Sequence, residues 1–225
     1  MAVSETTEHA ALMNGVYRWQ RHIYNATRKY YLLGRDRLVE RLHVPTNGSV
    51  LEIGCGTGRN LILAAKRYPT AQCFGLDISD EMLVSARQSI ARSNMSNRIV
   101  LAQADATDFG PTPLFGRDGF DRVFVSYSLS MIPGWQEAIR AGLAATAPGG
   151  ELHIVDFGAQ ERLPRAFKTL LRAWLARFHV TPRDSLREML ESDSRRIGAS
   201  LEFDSAFRGY AVIARIKVPA ATAAP

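Results

Sequence analysis

Glu52, Gly54, Gly56 and Gly58 follow one another at the end of a short apolar run, and Asp77 closes the next such run about twenty residues on. Glycines at this spacing let a backbone turn sharply and come close to a ligand. An acid at the end of the following strand can accept both hydroxyls of a ribose. A dinucleotide site carries G-x-G-x-x-G, which leaves a helix N-terminus open to pyrophosphate. Here the string is G-x-G-x-G, with the carboxylate of Glu52 just ahead of it. A carboxylate in that place suits a cationic ligand and opposes a pyrophosphate. Cys55 lies inside the turn. A helix N-terminus can lower a thiol's pKa, but the sequence offers no evident histidine partner, and Cys55 reads as small filler.

The elements around the turn must put these groups at strand ends. Ser49 to Ile53, Gln72 to Asp77, Arg98 to Ala102, Phe120 to Ser126 and Glu151 to Asp156 read as strands. Helices are expected over Asn60 to Arg67, Ser79 to Ser93 and Trp135 to Thr146. Ser79 serves as a cap with Asp80 and Glu81 in the first turn, and Pro148-Gly149-Gly150 acts as the last helix's stop. Ser200 to Asp204 and Gly209 to Lys217 read as a closing hairpin. The alternation predicts an α/β fold: a Rossmann-like, doubly wound, mostly parallel seven-stranded sheet with an antiparallel C-terminal hairpin and an N-terminal helical lid. One domain is expected. Residues 1–43 form the lid and acceptor region, 44–158 the cofactor-binding core, 159–199 a helical insertion and 200–218 the hairpin.

The chain has 225 residues, 46% of them hydrophobic and 22% charged, an ordinary globular balance. Its formal net charge of +6 favours an anionic partner. Cys55 and Cys73 fit neither a disulfide framework nor a metal-ligand spacing, so no metal is expected. Met1 to Asn14 lacks the regions of a signal peptide, and no apolar run approaches a membrane-spanning length of roughly 20 residues. A cytoplasmic location is expected.

From Val50 to Asp156 the sequence resembles the class I S-adenosylmethionine-dependent methyltransferases. Val50 to Gly58 is similar to their first motif and Asp77-Ile78-Ser79 to their ribose-binding acid and its neighbours. Asp105-Ala106 resembles the pair that contacts adenine. Ser126-Tyr127 ends the fourth strand, near the methionine end, and Pro148-Gly149-Gly150 matches the turn before the fifth. The resemblance implies S-adenosyl-L-methionine as cofactor, leaving as S-adenosyl-L-homocysteine. The implied cofactor-binding residues are Glu52, Gly54, Gly56, Gly58, Asp77, Ile78, Asp105, Ala106 and Ser126. The sulfonium and ammonium of this ligand agree with the carboxylate of Glu52.

Methyl transfer in line needs mainly a positioned nucleophile, so no conspicuous triad is required. The acceptor must be sought in the accessory segments. Residues 17–36 are dense in aromatic and basic side chains. On a helix, Tyr17, Gln20, Tyr24 and Thr27 share a face, as do Tyr24, Arg28 and Tyr31. Aromatic faces can hold an alkylammonium and arginines a carboxylate. The stretch from Tyr17-Arg18-Trp19-Gln20-Arg21 to Leu33-Gly34-Arg35-Asp36 resembles the betaine-lipid N-methyltransferases, which methylate diacylglyceryl-homoserine three times. This implies an amine-bearing glycerolipid substrate and an upstream enzyme that makes diacylglyceryl-homoserine. Tyr17, Tyr24, Tyr31 and Tyr127 are the candidate catalytic residues; Arg18, His22, Arg28 and Tyr30 are the candidate substrate-binding ones. His22 can accept a proton near neutral pH, as can bulk water.

Phe167, Leu170, Leu171, Trp174, Leu175 and Phe178 form one helical stripe, with Arg162, Arg165, Lys168, Arg172 and Arg177 around it. Such a stripe either packs on the sheet or lies in a bilayer interface. An anionic membrane surface is therefore an expected partner, with the protein on the inner face of the membrane. No RNA-binding module or base-methylating motif is present, and no nucleic-acid partner is expected. Phosphatidylethanolamine is a rival acceptor. A small-molecule methyltransferase and a non-catalytic S-adenosylmethionine-binding protein are the other readings.

Overall fold

The computed structural model describes residues 31–178 and 180–221, without the side chain of Phe167. Residues 17–30, including Tyr17, Arg18, His22, Tyr24, Arg28 and Tyr30, lie outside the described residues. The elements are α1 (Arg35–Glu40), β1 (Ser49–Ile53), α2 (Arg59–Arg67), β2 (Gln72–Asp77), α3 (Asp80–Arg92), β3 (Ile99–Gln103), α4 (Pro111–Phe115), β4 (Phe120–Ser126), α5 (Trp135–Ala144), β5 (Thr146–Phe157), α6 (Arg165–Ala176), α7 (Leu186–Arg196), β6 (Ser200–Ala206) and β7 (Ala211–Lys217).

The sheet has seven strands in the order β3-β2-β1-β4-β5-β7-β6. The first five run parallel, and β7 is antiparallel to both β5 and β6. After β1 the chain winds towards β3, and then it returns to place β4 on the other side of β1. A cleft opens at the carboxyl ends of strands where the winding direction reverses. Ile53 aligns there with Leu76 of β2 and Val125 of β4.

Every residue of β1 is buried, as both faces of a parallel sheet must be when helices cover them. One apolar core joins Val50, Cys73 and Phe124 to α1, α2, α3 and Leu175 of α6. The other joins Leu51, Ile53, Val123 and Ile154 to α5 and α7. Ser79 caps α3 by accepting from the Met82 amide at 3.3 Å, as its position before two acids predicts.

One expectation needs correction. Helix α5 stops at Ala144, and β5 already begins at Thr146, which pairs with Phe120. The Pro148-Gly149-Gly150 segment therefore lies within the strand as an irregularity, with Gly149 at φ 77° and a register shift between Phe120 and Arg122. Within the helical insertion expected over 159–199, α6 and α7 are the two helices.

The chain enters the fold across the carboxyl edge of the sheet and is held there. The Tyr127 hydroxyl donates to the Leu33 carbonyl at 2.6 Å and the Tyr210 hydroxyl to the Tyr31 carbonyl at 2.8 Å. Both phenols are buried at the ring, and Tyr127 packs edge-on to Phe157 at 4.8 Å. Tyr127→Phe should leave the Leu33 carbonyl without its donor. We expect a loss of about 1 kcal/mol, read as a fall in Tm of roughly 2–4 °C by calorimetry; an unchanged Tm would refute this anchoring.

Candidate active site

Gly54, Gly56 and Gly58 have φ of 70°, 53° and 74°, the left-handed region that glycine adopts without strain. At Gly54 the requirement is also spatial, since an added Cβ would come within 2.7 Å of the Ser128 Cβ. The Gly54 and Cys55 amides both donate to the Leu76 carbonyl at 2.9 Å. Asp77 then closes the turn: its Oδ2 accepts from the Gly56 amide at 2.8 Å and its Oδ1 from the Ser79 amide at 2.9 Å. The acid at the end of β2 therefore shapes the glycine turn as well as facing the cleft.

Glu52 is 1% exposed. A buried carboxylate needs a donor, and Asn60 Nδ2 supplies one to Glu52 Oε1 at 2.7 Å. The neighbouring Arg59 reaches the other way. Its guanidinium donates twice to Asp36, at 2.6 and 3.0 Å, and Arg59 holds that carboxyl below its ordinary range. One end of the short helix α2 thus ties the N-terminal segment to the acid ahead of the glycine turn. Burial, with Asp77 and Glu52 close by, pushes the Cys55 thiol well above its ordinary value. The thiol stays protonated and inert, in keeping with its reading as filler.

Beyond β3, Asp105 Oδ1 accepts from the Thr107 amide at 2.9 Å and the Thr107 hydroxyl at 2.7 Å. Its Oδ2 has no partner among the described residues. Ala106 is buried beside it, and Ile78 is half-buried with its carbonyl accepting from Gln103. Ser126 is buried at the end of β4, its hydroxyl unpartnered among the described residues.

The loop after β4 is held by a second buried acid. Asp156, 1% exposed, accepts from the Phe157 amide at 2.7 Å and the Ser130 amide at 3.2 Å. Burial raises its pKa to about 6 despite these bonds. Arg183 clamps the same loop, donating to the Leu129 carbonyl at 3.0 Å and the Ile132 carbonyl at 2.7 Å. Next to this loop, Tyr31, Tyr127, Met131, Trp174 and Phe178 line a narrow apolar cleft of about 10 Å³. Tyr31 meets Trp174 edge-on at 4.8 Å, and Trp174 meets Phe178 at 5.0 Å. Tyr127 serves the cleft with its ring. Its hydroxyl is bound to the Leu33 carbonyl, and burial pushes its pKa far above the ordinary value. The phenol proton is thus engaged by a backbone carbonyl.

Residues 46–194 match the model of a methyltransferase domain family. The chain belongs to this methyltransferase family. Trans-aconitate 2-methyltransferase of Variovorax paradoxus is 32% identical over 121 residues, which cover 53% of this chain and 42% of that enzyme. The chain thus spans less than half the length of that relative. A phosphatidylethanolamine N-methyltransferase of Cereibacter sphaeroides is 31% identical over 134 residues, 60% of this chain and 61% of that enzyme. An O-methyltransferase family protein from Burkholderia thailandensis shares the fold, with TM-score 0.69 and 16% identity over 88% of this chain and 59% of that one.

The cofactor of this methyltransferase is S-adenosyl-L-methionine, and the residues present fit it. The buried acid Glu52, Asp77 at the end of β2 and the open oxygen of Asp105 are acceptors of the kind that the ammonium, ribose and adenine amino groups of this cofactor would need. The fold brings Glu52, the three glycines, Asp77 and Ser126 to one edge. Sequence reasoning missed Asn60, Ser128 and the Asp36–Arg59 pair, because their meaning depends on contacts between elements.

Asp77→Ala should weaken S-adenosylmethionine binding about tenfold to a hundredfold, the loss of charge-assisted hydrogen bonds. Asn60→Ala should do so about tenfold by leaving Glu52 short of a donor. Unchanged affinity in calorimetry would overturn either assignment. Asp156 is charged at lower cost in the unfolded chain, at its ordinary 3.8, than in the fold, at about 6. The fold binds the extra proton, so stability should fall as pH rises from 3.8 to about 6, by up to about 3 kcal/mol. Urea unfolding across that range should show the slope in the wild type and not in Asp156→Asn.

Proposed function

We propose that this methyltransferase is an N-methyltransferase that methylates the amine of diacylglyceryl-homoserine three times to give the trimethylated betaine lipid. The observation that carries the reading is the segment ending at Asp36. Its sequence resembles the betaine-lipid enzymes, and its last residues are fixed between the cofactor turn and the aromatic cleft by Asp36–Arg59, Tyr127–Leu33 and Tyr31–Trp174. An acceptor arm so placed would deliver an amine to the cleft at the switch point. The bound cofactor supplies a methyl group made electrophilic by its sulfonium.

The chain's own contribution is to orient and to exclude water. Glu52, Asp77 and Asp105 would fix the cofactor's polar groups, and Tyr31, Trp174 and Phe178 place aromatic rings, the groups that attract an alkylammonium, beside the loop after β4. The proton released at each round goes to solvent. Asp156, the carboxyl with a raised pKa at this edge, is buried and held by two amides, so it is no base. An upstream enzyme would make the homoserine lipid.

A second reading, phosphatidylethanolamine as acceptor, is favoured by the Cereibacter relative. Full-length protein with labelled S-adenosylmethionine should be offered detergent micelles of each lipid, and trans-aconitate in parallel. Mass spectrometry should show mono-, di- and trimethylated homoserine lipid. Product from phosphatidylethanolamine alone would transfer the assignment to the second reading. Product from trans-aconitate alone would overturn both.

A further inference from the structure

Helix α6 resolves its own amphipathic stripe. Leu171, Trp174, Leu175 and Phe178 pack towards the core, whereas Leu170 is 69% exposed. Arg177, two turns on and therefore on the same side of the helix as Leu170, is exposed, as are Arg162 and Arg165 at the start of α6. A second exposed apolar group stands in the turn between β6 and β7. The turn between β6 and β7 sits at the carboxyl edge, because Ala211 pairs with Phe157, the last residue of β5. There Phe207 is 44% exposed and Arg208 exposed, both in left-handed backbone at φ 51° and 61°.

Residues 31–34 join the two. Tyr31 stacks edge-on with Trp174 of α6, and Gly34 lies against the Phe207 ring. Of the acids of this region, Asp184 pairs with Arg172 at 3.0 Å, and Glu161 accepts from Ser205 at 2.8 Å. Arg165, Arg177 and Arg208 have no ion pair among the described residues.

We infer that this edge, with Leu170 and Phe207 projecting among the cations of α6 and the β6–β7 turn, docks the protein on an anionic phospholipid bilayer. Cations alone would suit any polyanion. Apolar side chains standing out among them suit a surface with hydrocarbon beneath a charged layer. Nucleic acid offers no comparable apolar phase to Leu170.

The test is flotation of the full chain with vesicles of phosphatidylcholine alone or mixed equally with phosphatidylglycerol. Neither lipid is the proposed amine acceptor, so docking is read independently of the reaction. The protein should float with the mixed vesicles, not the neutral ones, and high salt should release it. Arg165→Glu with Arg177→Glu should weaken binding at least about 25-fold, at about fivefold per charge. Leu170→Ser should weaken it about tenfold. Unchanged S-adenosylmethionine affinity in calorimetry establishes that the variants fold. Failure of the wild type to float, or equal flotation of the folded variants, would overturn the inference. So would loss of double-stranded RNA binding by the variants with flotation intact.

Discussion

The site depends on the carboxylate of Asp77. It accepts from the Gly56 amide on one oxygen and the Ser79 amide on the other, which joins the glycine turn after β1 to the cap of α3. The turn itself hangs from the Leu76 carbonyl through two amides. A left-handed glycine at each of three positions is what makes these bonds geometrically available. The glycine turn is therefore held in shape by its own backbone hydrogen bonds before any ligand arrives.

A second set of bonds connects this turn to the segment before the sheet. Asp36, Arg59, Asn60 and Glu52 lie in sequence along one path from the N-terminal arm to the buried acid of the first motif. Tyr127 and Tyr210 hold the same arm by backbone carbonyls, a contact indifferent to the side chains of Tyr31 and Leu33. The Tyr31 ring remains available to line the cleft. The glycine turn, the N-terminal arm and the loop after β4 are thus parts of one packed edge.

Charge is divided between the two ends of the fold. Away from the site, Glu151 lies among His153, Arg122 and Arg215. The His153 hydrogen bond, with the two guanidiniums, lowers its pKa to about 2. Burial dominates at His153 itself and lowers its pKa, so the ring is neutral beside its carboxylate at neutral pH. At the carboxyl edge the cations of α6 project outward instead. The same helix carries Leu171, Trp174 and Leu175 on its other side, where they pack on the core around Tyr31 and Phe157.

The strands and the cofactor turn were legible in the sequence because their signals are local. Apolar runs of strand length, glycines two apart and an acid at the next strand end fix what those segments can be. The placement of Glu52 and Asp77 near strand ends follows from that pattern, whereas the order of the seven strands is seen only in the fold. Tertiary structure decided what depends on pairs distant in sequence. It turned the Tyr127 hydroxyl towards Leu33, extended β5 through its glycines by pairing Thr146 with Phe120, and brought Asp36 to Arg59. It also settled which side of the α6 stripe is buried. A helical period states that one face is apolar, but only the surfaces packed against the helix determine that Leu175 goes inside and Leu170 remains in water.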